Sequence, residues 1–331
     1  MGIPTPYTQG LEKIPLAYHD SQKDKIQRLN QYVWNGKINW LDVEEWLTNF
    51  DGSSDENLSE QLQMLHLLGQ FMYFGERELR ELIRCLYWDK FRYEAIQEIR
   101  AASSDKKDIG NLGEEYELYL KNTRFLGVGN PSESGTHLLY YFRQQNSLSK
   151  NLFINAHEIF SYENEPVRFR DESIRRYVFL DDLCGSGSQA SRYSQDLLET
   201  IKSIDDSVQV YYFVLFGMSD GLERVRNKTL FDEVRFVYEL DESFKCYSNS
   251  SRYFESSPDF VDKDFSQRIS ANYGEKLCPG EELGFENSQL LLGLFHNTPN
   301  NTLPVMWHEG TQKHAWTPIF KRYDKKYGWG I

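Results

Sequence analysis

Residues 177–190 read Y-V-F-L-D-D-L-C-G-S-G-S-Q-A, and two groups within them could do chemistry. Asp181 and Asp182 close an apolar run, and a turn of small residues, Gly185-Ser186-Gly187-Ser188, follows at once. Glycines let a backbone come close to an anion, and serine hydroxyls donate hydrogen bonds to it. The opening turn of a following helix adds unpaired N–H groups and a favourable dipole. Such a turn suits a phosphate. Adjacent carboxylates repel one, so the acid pair suits sugar hydroxyls or a hydrated cation instead. The plain alternative is an ordinary strand-turn-helix corner of a doubly wound fold.

The surrounding pattern supplies the elements that would position these groups. Residues 177–180 carry no polar break, as expected of a central parallel strand buried on both faces. Beyond the turn, Tyr193, Leu197, Leu198 and Ile201 recur with helical spacing. Further strands are expected at 124–128, 152–160, 208–216 and 234–240, with helices between them. Alternating strands and helices imply a doubly wound parallel sheet of the α/β class, which binds ligands at the carboxyl ends of its strands.

The rest of the chain frames that domain. The first 20 residues, with Pro4, Pro6 and Pro15, read as an irregular arm. Helices are expected from Ser21 as a cap through Trp34, then over 40–50, 58–74 and 76–87, forming an all-helical region within 21–110. The α/β domain is drawn from 111, opening on a short helix over 112–120, to 245. A C-terminal extension over 246–331 includes a helix over 284–295, a turn-rich loop at 297–304 and a tail with Lys321, Arg322, Lys325 and Lys326. The aromatic residues of the N-terminal part, among them Trp88, Phe91 and Tyr93, read as core.

Composition narrows the function classes. A formal net charge of −13 over 331 residues disfavours nonspecific binding to nucleic acid or to anionic membranes. Cys85, Cys184, Cys246 and Cys278 lie far apart, which suits reduced thiols and a cytoplasmic setting. No leader-like start and no apolar run of membrane-spanning length are expected. His157-Glu158 and His308-Glu309 lack the H-E-x-x-H spacing of a zinc protease, and neither a nucleotide P-loop nor a Rossmann fingerprint is present. Cys184, beside the turn, reads as a packed thiol or as a helix-end thiolate without an identifiable histidine.

The 177–190 layout resembles the phosphoribosyl-diphosphate signature of type I phosphoribosyltransferases, in which an apolar strand meets two acids, two hydrophobic residues and a Thr/Ser-rich turn. Leu183 and Cys184 fill the hydrophobic pair, and Gly185, Ser186, Gly187, Ser188 and Gln189 fill the turn. Gly185 and Gln189 depart from it, since the family usually has hydroxyl residues there. The resemblance implies that Asp181 and Asp182 hold the ribose hydroxyls, directly or through Mg²⁺, while the turn holds the 5′-phosphate. It implies a pyrophosphate loop at Asn130, Ser132, Ser134, Gly135 and Thr136, where a simple capped turn is the alternative and Glu133 would have to point away. It implies, too, a closing loop at 161–176 that brings Arg168, Arg170, Arg175 and Arg176 to the leaving pyrophosphate. A solvated surface loop is the alternative there. The reaction would displace pyrophosphate at the anomeric carbon, and the C-terminal extension would form the hood that chooses the acceptor.

Three other stretches extend the resemblance to phosphoribosyltransferase-like proteins of bacterial conflict and antiphage gene clusters. They are I-N-W-L-D-V-E-E-W-L-T-N-F-D at 38–51, Y-F-G-E-R-E-L-R-E-L-I-R-C-L-Y at 73–87 and N-T-P-N-N-T-L-P-V-M-W at 297–307. This wider likeness implies a defence effector or regulator with a protein partner encoded in the same gene cluster. Two functions follow from the resemblance: glycosyl transfer or hydrolysis on phosphoribosyl diphosphate or a related ribose phosphate, or a non-catalytic nucleotide sensor or interaction module on the same fold. A scaffold that has lost its ligand is a third. Turnover separates the first from the others.

Overall fold

The computed structural model describes residues 16–52, 59–103, 110–129, 134–162 and 166–323. Its contacts divide the chain into two units, Arg80–Leu240 and a discontinuous one made of Met1–Leu79 with Asp241–Ile331. The boundaries drawn from sequence fall at 20, 110 and 245 instead.

The discontinuous unit begins with helices α1 (Leu16–Tyr32), α2 (Trp40–Leu47) and α3 (Glu60–Leu68), followed by the short strand β1 (Met72–Phe74). Ser21, expected as a cap, lies inside α1. Asn39 starts α2 with a capping box: its side chain accepts the Asp42 N–H while the Asp42 carboxylate accepts the Asn39 N–H. The expected helix through residue 74 stops at Gly69, and 72–74 is extended.

Helix α4 (Glu76–Tyr87) crosses into the second unit and runs through a π-helical turn, Trp88–Arg92, into α5 (Tyr93–Ala102) and then α6 (Leu112–Lys121). Strand β2 (Thr123–Gly127) and α7 (Ser134–Gln145) come next. The pair β3 (Phe160–Ser161) and β4 (Arg168–Phe169) forms a small antiparallel ribbon. After it the chain alternates through β5 (Arg176–Cys184), α8 (Ser188–Ile204), β6 (Gln209–Met218), α9 (Ser219–Lys228) and β7 (Glu233–Leu240). The main sheet has the order β2-β5-β6-β7, with every pair parallel.

The expected strand at 152–160 does not form. Phe153 makes a single bridge to Phe125, and the Ile154 N–H donates to the Phe125 carbonyl at 3.2 Å. Asn155 and Glu158 then close a capping box around a 3₁₀ turn, Ala156–Glu158, which turns the chain away from the sheet edge. Four strands remain, and both faces of the central two are covered. Tyr177, Phe179, Tyr212 and Val214 pack with Leu198 and Ile201 of α8 and with Leu222 and Val225 of α9. On the other face Phe91 meets Phe125 edge to face and Phe142 meets it at a tilt, each with ring centroids 5.1 Å away, and Phe91 reaches Phe213. Burial on both faces explains the unbroken apolar run in β5.

The chain then returns to the first unit with α10 (Lys263–Leu277), β8 (Leu292–Leu294) and α11 (Pro304–Trp307). A helix was expected over 284–295. Positive φ angles at Gly284, Glu286, Asn287 and Gln289 break it, and residues 292–294 pair with β1 in parallel. The two ends of the chain share one core: Trp46 donates to the Val305 carbonyl at 2.9 Å, and Asn49 exchanges hydrogen bonds with the Thr317 backbone. No helix among the described residues is long and apolar enough to cross a membrane.

Candidate functional site

The acid pair sits at the carboxyl end of β5. Pairing with β2 runs out at Leu180, whose carbonyl accepts the Val128 N–H at 3.0 Å, while β6 stays in register through Leu183↔Phe216 and Cys184↔Gly217. Strand alternation sends neighbouring side chains to opposite faces. Asp181 therefore turns into the core that holds Tyr212, and is only 5% exposed, while Asp182 is partly exposed.

The two carboxylates have different surroundings. Asp181 Oδ2 accepts the Tyr212 hydroxyl at 2.9 Å, and its Oδ1 accepts the Asp182 N–H at 3.0 Å. Burial, with the Asp182 charge beside it, pushes the Asp181 carboxyl well above the usual carboxylate range. Burial also raises the Tyr212 hydroxyl, with the Asp181 charge adding to it. The Cys184 thiol, 2% exposed, is pushed up to about 12 by burial first and Asp181 second, which fits a packed thiol rather than a thiolate. Asp182 Oδ1 accepts the Leu183 N–H at 2.9 Å.

The turn that follows is seated backbone to backbone on α9. Gly187 has φ of +75° and precedes α8, and a Cβ there would lie 2.6 Å from the Gly221 carbonyl oxygen. A Cβ on Gly221 would run into the Gly185 carbonyl. No larger residue fits either position. Ser186 Oγ lies 2.9 Å from Ser188 Oγ, and accepts the Ser188 N–H at 3.4 Å. Arg224 of α9 donates from Nη1 to Ser188 Oγ at 2.6 Å. Gln189 is exposed.

Other expected site residues are placed unevenly. Asn130 and Ser132 lie outside the described residues, and Ser134, Gly135 and Thr136 open α7. Because β2 lies beside β5 in parallel, the segment after β2 leaves the sheet at the same end as Asp182. Arg168 is in the β3–β4 ribbon, and the Arg170 N–H donates to the Ile159 carbonyl at 2.9 Å. Arg175 and Arg176 are at the amino end of β5. Arg175 pairs with Asp205 at 3.8 Å, and the Arg176 guanidinium stacks 3.5 Å from the Tyr119 ring centroid. At ~3.3 Å per strand residue, roughly 20 Å separates Arg176 from Asp182, so the fold does not bring these two arginines to the acids.

Two residues that sequence reasoning missed, Tyr212 and Arg224, touch the site. Arg224 lies three positions beyond Gly221, the spacing that puts both on one helix face, but only the packing of α9 on the turn brings it to Ser188. Among the described residues no three His, Cys, Asp or Glu side chains form a group that could hold a metal ion.

A family model, PRTase-CE, matches residues 43–322. The chain belongs to the PRTase-CE family. Its acid pair and turn thus sit on a phosphoribosyltransferase-like fold, with the parallel sheet already described. Two solved structures overlap it in part. A Helicobacter pylori xanthine-guanine-hypoxanthine phosphoribosyltransferase is 8% identical, with a TM-score of 0.25, over 51% of this chain and 89% of that one. An orotate phosphoribosyltransferase from Aeropyrum pernix is 14% identical, with a TM-score of 0.22, over 39% of this chain and 73% of that one. The family assignment rests on the PRTase-CE match alone. No curated protein matches the chain significantly.

Proposed function

We propose that the turn at residues 185–189 binds the phosphate of a ribose phosphate, with phosphoribosyl diphosphate as the ligand, and that Asp182 is the carboxylate that meets its ribose. One observation carries this reading: the turn opens α8 at the carboxyl end of the central parallel strand, beside a partly exposed acid. Phosphates and sugars bind at that end of such sheets. The hydroxyls of Ser186 and Ser188, with the first N–H groups of α8, donate to the 5′-phosphate. Asp182 accepts from a ribose hydroxyl.

A related enzyme would break the bond from the anomeric carbon to pyrophosphate and form one to an acceptor base or to water. Mg²⁺ supplies charge neutralisation of the departing pyrophosphate when bound. The side chains present fit an ion carried in by the ligand, since Asp182 offers one partly exposed carboxylate and Asp181 is committed to Tyr212. Asp182, directly or through water, is the residue that would hold it.

A second reading draws on the same burial. With Asp181 turned inward, one acid faces the ligand where the signature of the type I enzymes has two, which favours a sensor that binds without turnover. A role in bacterial antiphage defence, with a partner protein from the same gene cluster, is the setting that the family resemblance implies.

Calorimetric titration of phosphoribosyl diphosphate with Mg²⁺ tests the binding. The wild type is expected to bind and Asp182→Ala to lose about tenfold or more. Absence of heat and of thermal shift with millimolar ligand would defeat the proposal. Release of pyrophosphate then separates enzyme from sensor.

A further inference from the structure

The contact between α9 and the turn does more than hold the backbone. Residues three and four apart share a helix face, so Arg224 and Val225 follow Gly221 onto the turn. A Cβ at Gly187 would lie 3.1 Å from Val225, and Arg224 Nη1 reaches Ser188 Oγ at 2.6 Å. Ser188 Oγ is 2.9 Å from Ser186 Oγ. One guanidinium therefore holds the Ser188 hydroxyl, which in turn meets that of Ser186.

We propose that Arg224 clamps the phosphate that enters this turn and makes the site prefer a phosphomonoester over an unphosphorylated sugar. The proposal rests on the ribose-phosphate reading above. Hydroxyls and amide N–H groups contribute hydrogen bonds but no formal charge. The site needs one, because the turn lies next to Asp182 in a chain of net charge −13, where a dianion is repelled. A guanidinium brings a permanent charge and a planar fork of donors matched to phosphate oxygens. It also supplies donors where Gly185 and Gln189 stand in place of the hydroxyl residues of the type I signature. The bond to Ser188 holds the fork at the turn before any ligand arrives, which lowers the ordering cost of binding.

The test is calorimetric titration of ribose 5-phosphate and, separately, ribose into the wild type, Arg224→Gln and Arg224→Lys. Ligand-free thermal midpoints establish folding. The wild type should bind ribose 5-phosphate in preference to ribose. Arg224→Gln should lose about tenfold or more of that affinity, and its binding should depend less on NaCl, since one phosphate contact is gone. The shallower salt slope is a readout that a merely structural role would not move. If Arg224→Gln is unstable, Arg224→Lys decides: weaker binding at an unshifted thermal midpoint supports the clamp, and wild-type affinity overturns it. Unchanged affinity and salt slope in a folded Arg224→Gln overturn the clamp and leave the ribose-phosphate reading intact. A wild type that binds no ribose 5-phosphate overturns both.

Discussion

The Tyr212 hydroxyl donates to Asp181 Oδ2 at 2.9 Å within the packed face of the sheet, one residue before the partly exposed Asp182. Two acids adjacent in sequence thus differ in burial and in partners, although the Asp182 charge still bears on Asp181. Asp181 ties β5 to β6 near its carboxyl end, and Asp182 presents its carboxylate where the turn begins. The hydrogen bond fixes the end of the strand from which that turn starts.

Substitutions should separate these positions. Tyr212→Phe leaves Asp181 Oδ2 buried without its donor and should cost about 1–3 kcal/mol in urea unfolding. Asp182→Asn should change stability by less than about 0.5 kcal/mol, yet weaken binding of phosphoribosyl diphosphate. Equal destabilisation by both would contradict the division.

Glycine contacts give a second contrast. A Cβ on Gly221 meets the Gly185 carbonyl, whereas one on Gly113, in α6, meets nothing within 4 Å. Gly221→Ala should therefore cost about 1–3 kcal/mol and impair ligand binding by shifting the turn. Gly113→Ala should be neutral or stabilise by up to about 1 kcal/mol. Thermal midpoints of the two variants are the check: that of Gly221→Ala should fall, and that of Gly113→Ala should hold or rise.

In the other unit His66 is buried, with Nδ1 2.7 Å from the Tyr18 hydroxyl and Nε2 2.8 Å from the Tyr253 carbonyl. Burial holds its pKa below the ordinary value, against the opposing pull of the Tyr253 carbonyl. The unfolded chain then binds a proton that the native state resists. Stability is present above the unfolded pKa of about 6.5 and is lost as pH falls through the lower folded one. Urea midpoints followed by tryptophan fluorescence should drop as pH falls below about 6.5, and His66→Gln should flatten that slope.

Local signals were the legible ones. The apolar run of β5, the Gly-Ser turn and the periodic face of α8 were readable because each lies within one stretch of chain, and α4 spans the residues its Leu and Ile spacing picks out. The inward turn of Asp181 follows from strand alternation. Its partner did not, since Tyr212 meets it through the register of a neighbouring strand. Arg224 reaches the turn from a helix one strand further on, a contact that no local pattern encodes. Residues 152–160 misled for the opposite reason: their apolar content resembled a strand, while Asn155 and Glu158 carried the capping box that ends it. Over 284–295 the left-handed backbone at Glu286 and Gln289 was hidden, because Glu and Gln suit helices, while Asn287, a residue that tolerates the left-handed region, was the one local sign of the break.

The most direct measurement is amide chemical-shift mapping of the labelled protein during titration with ribose 5-phosphate. The amides of Gly185, Ser186, Gly187, Ser188 and Gln189 should move together and saturate at one dissociation constant, with Asp182 following. Saturable binding that shifts other amides and leaves those five in place would contradict the account.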